Sequence, residues 1–281
     1  MKKIILSVFV CIFVLTFDTQ PTDALAITLK RIVFEGPKRA EVLTVINSSD
    51  ETRTYRISWR HFLMNPDKSL VAVSEEGPLP PEVKPVTDMV RYAPRRFTLA
   101  PKTSQQVRIM LRMPGGIPDG EYRSHLWVRP EASAETFRKK AEKEARNGVT
   151  MQMLAGVTMP VIVRKGNIDA NIAVENLTAV ETNGFIKVGF NLNRSGERSV
   201  YGNMNFVCNK NQGSQEYTIQ TNRGNAVYSE INTRRFTREI IKKPDQPACS
   251  SMTVEFFETE ESVRAEKALF TETTVSVQRQ S

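Results

Sequence analysis

Few residues in this chain could carry catalysis. Histidine occurs twice, at His61 and His125, and neither has a Cys, Asp or Glu nearby at the spacing that builds a zinc site. Both are expected to be structural histidines with satisfied ring nitrogens. There is no Gly-x-Ser-x-Gly elbow, no glycine-rich phosphate loop opening a helix and no His-Glu-x-x-His. The acidic pairs Glu75-Glu76 and Glu260-Glu261 lie in polar, turn-like stretches where solvated charge explains them. The residues therefore predict no enzyme, no metal and no cofactor, and they direct attention to binding.

The binding signal is an alternation. From Val149 to Arg164, apolar side chains at Met151, Met153, Ala155, Val157, Met159, Val161 and Val163 recur every second residue, which puts all seven on one face of a single long strand. The positions between them are not cleanly polar, and Pro160 cannot donate to a central ladder. That pattern predicts an exposed edge guarded only at its end by Arg164 and Lys165. An edge of this kind can lend backbone hydrogen bonds and alternate side chains to the sheet of another polypeptide. Met159 to Val163 are expected to pack inside the chain's own sandwich, and Met151 to Ala155 to be the donated part.

The elements that position this strand are preceded by a leader. Lys2 and Lys3 stand before an apolar run from Ile4 to Phe17, and Ala24-Leu25-Ala26 supplies a small-residue cleavage pattern. Residues 1–26 are expected to be a signal peptide of the bacterial Sec type. The run is too short to favour a membrane-spanning helix, so no stable membrane insertion is expected. The remaining 255 residues keep the formal charge of +8. Their Lys and Arg residues are spread along the chain and form no aromatic-interleaved patch, which speaks against nucleic acid; an acidic or carboxylate-bearing protein partner fits better. Cys11 leaves with the leader. Cys208 and Cys249 are then expected to form one disulfide in an oxidising compartment, the alternative being two separate buried thiols.

Two runs of short strands follow. Residues 27–35, 40–47, 52–60, 86–92, 104–113, 122–129 and 150–164 read as about seven strands, the number of an immunoglobulin-like sandwich. Gly36-Pro37, Pro80-Pro81 and Pro114-Gly115-Gly116 punctuate them. Residues 168–177, 185–193, 199–207, 216–220, 252–258 and 268–277 make a second, less regular set. The expected organisation is a first domain over 27–165 and a second over 166–281, joined near Lys165-Gly166-Asn167. Ala134 to Arg146 is the one helix-like stretch. Its charges and lack of an apolar stripe predict a solvated loop.

Four segments in order then resemble the PapD-like periplasmic chaperones of pilus and fimbria assembly. Ile27 to Gly36 is similar to that family's first strand, and Arg39 to Asn47 to its second, with the terminal Asn. Tyr92-Ala-Pro94-Arg-Arg-Phe97-Thr-Leu99-Ala-Pro101 with Gln106-Val107-Arg108-Ile109 resembles the Pro-rich turn and following strand. Ile117 to Trp127 resembles the segment that comes next. The resemblance covers most of residues 27 to 165.

It implies an all-β fold of two immunoglobulin-like sandwiches in a boomerang arrangement. It also implies a non-enzymatic chaperone that completes a pilus subunit's fold by donor-strand complementation and passes it to an outer-membrane usher. Met151, Met153, Ala155 and Val157 would be the docked side chains, each larger one contributing about 1.5–3 kcal/mol before ordering costs. Arg31 would grip the subunit's terminal carboxylate. The family's partner lysine falls at Pro160, so Arg112, Lys165 or Arg91 would have to supply a second cation. Arg108, Glu121 and Arg164 would form an ion network between the domains. Two other readings remain: a structural or adhesive surface component built from the same sandwiches, and a secreted hydrolase with a scattered site that includes His61 or His125.

Overall fold

Period-two alternation governs most of the chain. In the computed structural model, which describes residues 25–67, 70–132, 155–259 and 269–279, the first half contributes eleven strands. They are β1 (Leu25–Ile27), β2 (Ile32–Phe34), β3 (Ala40–Asn47), β4 (Arg53–Arg60), β5 (Phe62–Met64), β6 (Leu70–Ala72), β7 (Val90–Ala93), β8 (Arg96–Leu99), β9 (Ser104–Leu111), β10 (Gly120–Pro130) and β11 (Val157–Lys165). One sheet runs β1-β3-β9-β7 and a second β2-β11-β10-β4-β8, while β5 and β6 form a separate hairpin. Leu43 and Val45 of β3 and Val107 and Ile109 of β9 share a core that also takes Leu126, Val128, Met159, Val161 and Val163 from the second sheet. A single core shared by two facing sheets makes this half a sandwich.

Asn47 ties the ends of that sandwich together. It is fully buried, its amide nitrogen donates to the carbonyls of Glu51, Leu99 and Ala100, and its Oδ1 accepts from Tyr55 and Ser49. Its side-chain polar atoms are therefore paired, as burial requires.

The second half contributes β12 (Ala170–Thr182), β13 (Phe185–Gly196), β14 (Val200–Cys208), β15 (Tyr217–Val227), β16 (Thr233–Ile241), β17 (Ser251–Glu258), β18 (Leu269–Ser276) and β19 (Gln278–Arg279). Their orders are β16-β13-β12-β19 and β15-β14-β17-β18. Phe190 lies in this core between Phe236, stacked at 5.1 Å, and Phe206. Cys208 and Cys249 are both buried and are joined as the expected disulfide across 41 positions of sequence. The fold is all-β, two immunoglobulin-like sandwiches, with one short 3-10 turn among the described residues, at Gly213–Gln215. Gly166, at the expected link, has φ +84°, and a Cβ there would lie 2.4 Å from Asp119 Oδ2, so both backbone and space call for glycine.

Three expectations change. The strand read over 27–35 is two strands in two different sheets, because the chain crosses from the β1 sheet to the β2 sheet between Thr28 and Arg31. β16 was not anticipated: only Phe236 and Ile240 are buried along it, and arginines and threonines interrupt the apolar alternation. Arg108 is exposed on β9 between buried Val107 and Ile109. It stands opposite Val42 and Ala93 on the outer face of the first sheet, so the same alternation that buries its neighbours keeps it out of any interdomain network. The helix-like stretch at 134–146 lies outside the described residues.

Candidate functional site

β11 is covered along its whole length on one side and over a third of it on the other. Val157 to Lys165 pair antiparallel with Gly120 to Val128 of β10, whereas β2 pairs in parallel only with Val161, Ile162 and Val163. Among the described residues, Val157 to Pro160 have no strand on the β2 side. The covered half is held from both faces. Val161 and Val163 enter the first core, while Ile162, on the opposite face, enters an apolar seam with Met64, Ala226 and Tyr228. The uncovered half rises out of it: Met159 is buried, Val157 and Pro160 are half-buried, Thr158 is exposed, and Ala155 and Gly156 before the strand are exposed. Gly156 passes so close to Trp127 that a Cβ would sit 2.4 Å from its Nε1. Arg60 and Arg129 stack on the same indole at 4.2 and 4.7 Å. Met151 and Met153 lie outside the described residues.

Arg31 ends the crossover from β1 to β2, one position before the Ile32–Val161 pair, so the register brings it alongside Pro160. It is only 5% exposed, with its guanidinium 4.2 Å from the centroid of the Tyr201 ring in the second sandwich. Burial first, and then Arg164, press its pKa below the ordinary arginine value, while Glu121 pulls the other way. The three candidate replacements for a lysine at Pro160 lie elsewhere. Lys165, at the far end of β11, is bonded to Asp119 and the Ile117 carbonyl; Arg91 is on β7 and Arg112 follows β9, both exposed.

Glu121 and Arg164 are in contact, without Arg108. Arg164 Nε donates to Glu121 Oε2 at 3.0 Å, with the two side chains 4% and 1% exposed, and Nη1 reaches Glu35 at 3.1 Å. The same Glu121 oxygen accepts from the Ser199 amide at 3.0 Å and hydroxyl at 2.8 Å, and Arg164 Nη2 donates back to the Ser199 carbonyl. A second tie lies beside it. Arg123 donates to Glu230 at 2.6 and 3.2 Å and to the Phe62 carbonyl at 2.7 Å, and stacks on Tyr228 at 3.5 Å. Glu230 also accepts from the Met64 amide at 2.8 Å. A third joins Arg235 to Asp67 at 2.5 Å and, through its amide, to the Pro66 carbonyl. Sequence reading missed Ser199, Glu230, Arg235 and the hairpin; the one available signal was that Glu121, Arg123 and His125 share the outward phase of β10.

His125 is structural but not satisfied. It is 1% exposed, packed edge-on against Phe62 at 4.8 Å and near Tyr228, and among the described residues neither ring nitrogen has a hydrogen-bond partner. Burial first, then Arg123 and His61, drive its pKa down to about 3. Among the described residues, no group of three or more His, Cys, Asp or Glu side chains is arranged to hold a metal, and no helix is long and apolar enough to cross a membrane.

No family model matches the sequence, and no curated protein does. Solved structures do. The chaperone–tip adhesin pre-assembly complex of the archaic Csu pili of Acinetobacter baumannii matches with a TM-score of 0.45 and 10% identity, over 92% of this chain and 100% of the other. The periplasmic chaperone SfaE matches at 0.42 and 12%, over 92% and 100%. The Salmonella enterica SafA pilin–SafB chaperone complex matches at 0.42 and 14%, over 90% and 96%.

Proposed function

We propose that this chain is a periplasmic chaperone that binds pilus or fimbrial subunits by strand donation and delivers them to an outer-membrane usher. The observation that carries the reading is the division of β11. Its second half is clamped in the first core, and its first half, Val157 to Pro160, has one side without a strand among the described residues. A strand held rigidly at one end and open along an edge at the other can complete a neighbour's sheet at little further ordering cost. The four segments that resemble the PapD-like chaperones support the same reading. Met151, Met153, Ala155 and Val157 dock into the client, with the thioethers adapting to grooves of differing shape. Arg31 holds the client's terminal carboxylate. Because that guanidinium is buried beside Tyr201, a carboxylate reaching it is desolvated too, where a charge-assisted bond is strong. Pro160 brings no cation to the place of the family's lysine, so Arg31 does this alone. Export uses the leader at residues 1–26.

The test is co-expression with candidate subunit polypeptides and affinity capture by the wild type, Met153→Asp and Ala155→Pro. Both variants are expected to lose the client while retaining the circular dichroism and melting curve of the wild type. Capture unchanged in both refutes the reading, and self-assembly into large oligomers without a client favours a structural or adhesive component.

A further inference from the structure

Next to the junction the second sandwich holds a buried arginine whose hydrogen bonds, among the described residues, all stay within that sandwich. Along β13 the inward phase runs Ile186, Val188, Phe190, Leu192 and then Arg194, so a guanidinium takes the place of the next core side chain. Arg194 is 4% exposed. Nε donates to the Ile231 carbonyl at 3.2 Å; Nη1 to the Gly196 and Arg198 carbonyls at 2.7 and 3.1 Å; and Nη2 to the Ser229 carbonyl and Asn232 Oδ1, both at 3.2 Å. Its amide also bonds the Asn232 carbonyl at 2.7 Å. All five guanidinium N–H groups are thus used, every acceptor is neutral, and every acceptor lies at the end of β13 and the turn after it, or in the turn before β16.

Those two segments carry the junction. Ser199, which gives two hydrogen bonds to Glu121, directly follows Arg198. Glu230, which receives Arg123 and the Met64 amide, lies between Ser229 and Ile231. We infer that Arg194 is a positioning residue for the interdomain junction: by pinning residues 196–198 and 229–232 to one planar fork, it presents Ser199 and Glu230 to the first sandwich as a single preformed surface. The charges agree with this placement. Burial lowers the Arg194 pKa, and the carboxylates that act against burial are Glu121 and Glu230, the two acids of the junction. Lysine cannot substitute, since three donors radiating from one nitrogen cannot span both segments.

The inference holds whatever the client, and its test needs none. Hydrogen exchange is measured by NMR on the full chain, wild type and Arg194→Lys. The Ser199 amide, bonded to Glu121, and the Met64 amide, bonded to Glu230, report the two ties separately. Arg194→Lys is expected to speed both by about tenfold or more together, with the protected amides of β14 and β17 unchanged. Response of only one amide, or of neither, overturns the inference. So does equal acceleration in β14 and β17, the mark of a residue that merely holds its own sandwich together.

Discussion

Acid should destabilise the first sandwich through His125, by an amount the structure allows to be worked out. The ring is buried with no hydrogen-bond partner at either nitrogen among the described residues, and its pKa is pushed down to about 3, against 6.5 for an ordinary histidine. The folded value lies below the unfolded one, so on acidification the unfolded chain takes up the proton first. The stability held by keeping the ring neutral is whole above pH 6.5 and is lost as the pH falls toward 3. Between pH 7.5 and 5.0 the linkage amounts to about 2 kcal/mol. The perturbation is His125→Phe, which keeps an aromatic ring against Phe62 and removes the titration. Urea unfolding followed by tryptophan fluorescence suits the measurement, because both tryptophans, Trp59 and Trp127, lie in the first sandwich. Wild type should lose about 2 kcal/mol more than His125→Phe between the two pH values, whatever the variant's own baseline. Equal losses would refute the assignment of a neutral, buried ring.

Glu121→Ala should cost about 3–5 kcal/mol, since it leaves the buried Arg164 guanidinium with half-exposed Glu35 and a carbonyl. Glu121→Gln should cost less, because it keeps an acceptor for Ser199; thermal melts showing no difference between the two would contradict the buried pair. Replacing Cys208 and Cys249 by alanine should cost about 4 kcal/mol by the chain-entropy relation applied to their separation of 41, and denaturant midpoints check it. Gly156→Val would press a side chain into Trp127 Nε1 and the Val128 carbonyl; the indole must move out from its two arginines, which a shift in Trp127 emission records. An unchanged spectrum would mean that the approach to β11 runs elsewhere.

Several features were legible before any fold was seen because they depend on neighbours two residues apart. The inward phase of Met159, Val161 and Val163, the extent of β3 and the start of β9 follow from alternation alone. The same rule places Arg108 outward, against the role that the resemblance implies for it. β16 was illegible because its core phase reads Phe236, Arg238, Ile240, with an arginine where periodicity expects an apolar residue. Arg31 was legible as a residue of interest and not as a buried one, since nothing within its own strand announces the Tyr201 ring above it.

The amino-acid order alone determined which side chains turn inward within each strand and that Cys208 and Cys249 were available to each other. Those are short-range matters of pleat and composition. Arg123 and Glu230, 107 positions apart, and Glu121 and Ser199, 78 apart, are brought together only by the tertiary structure, as are β2 with part of β11 and Arg194 with the chain segments it gathers. The first two contacts exist only once two finished sandwiches have docked, because a contact between rigid bodies depends on their relative placement; the other two need each sandwich closed on itself, and no local periodicity encodes either.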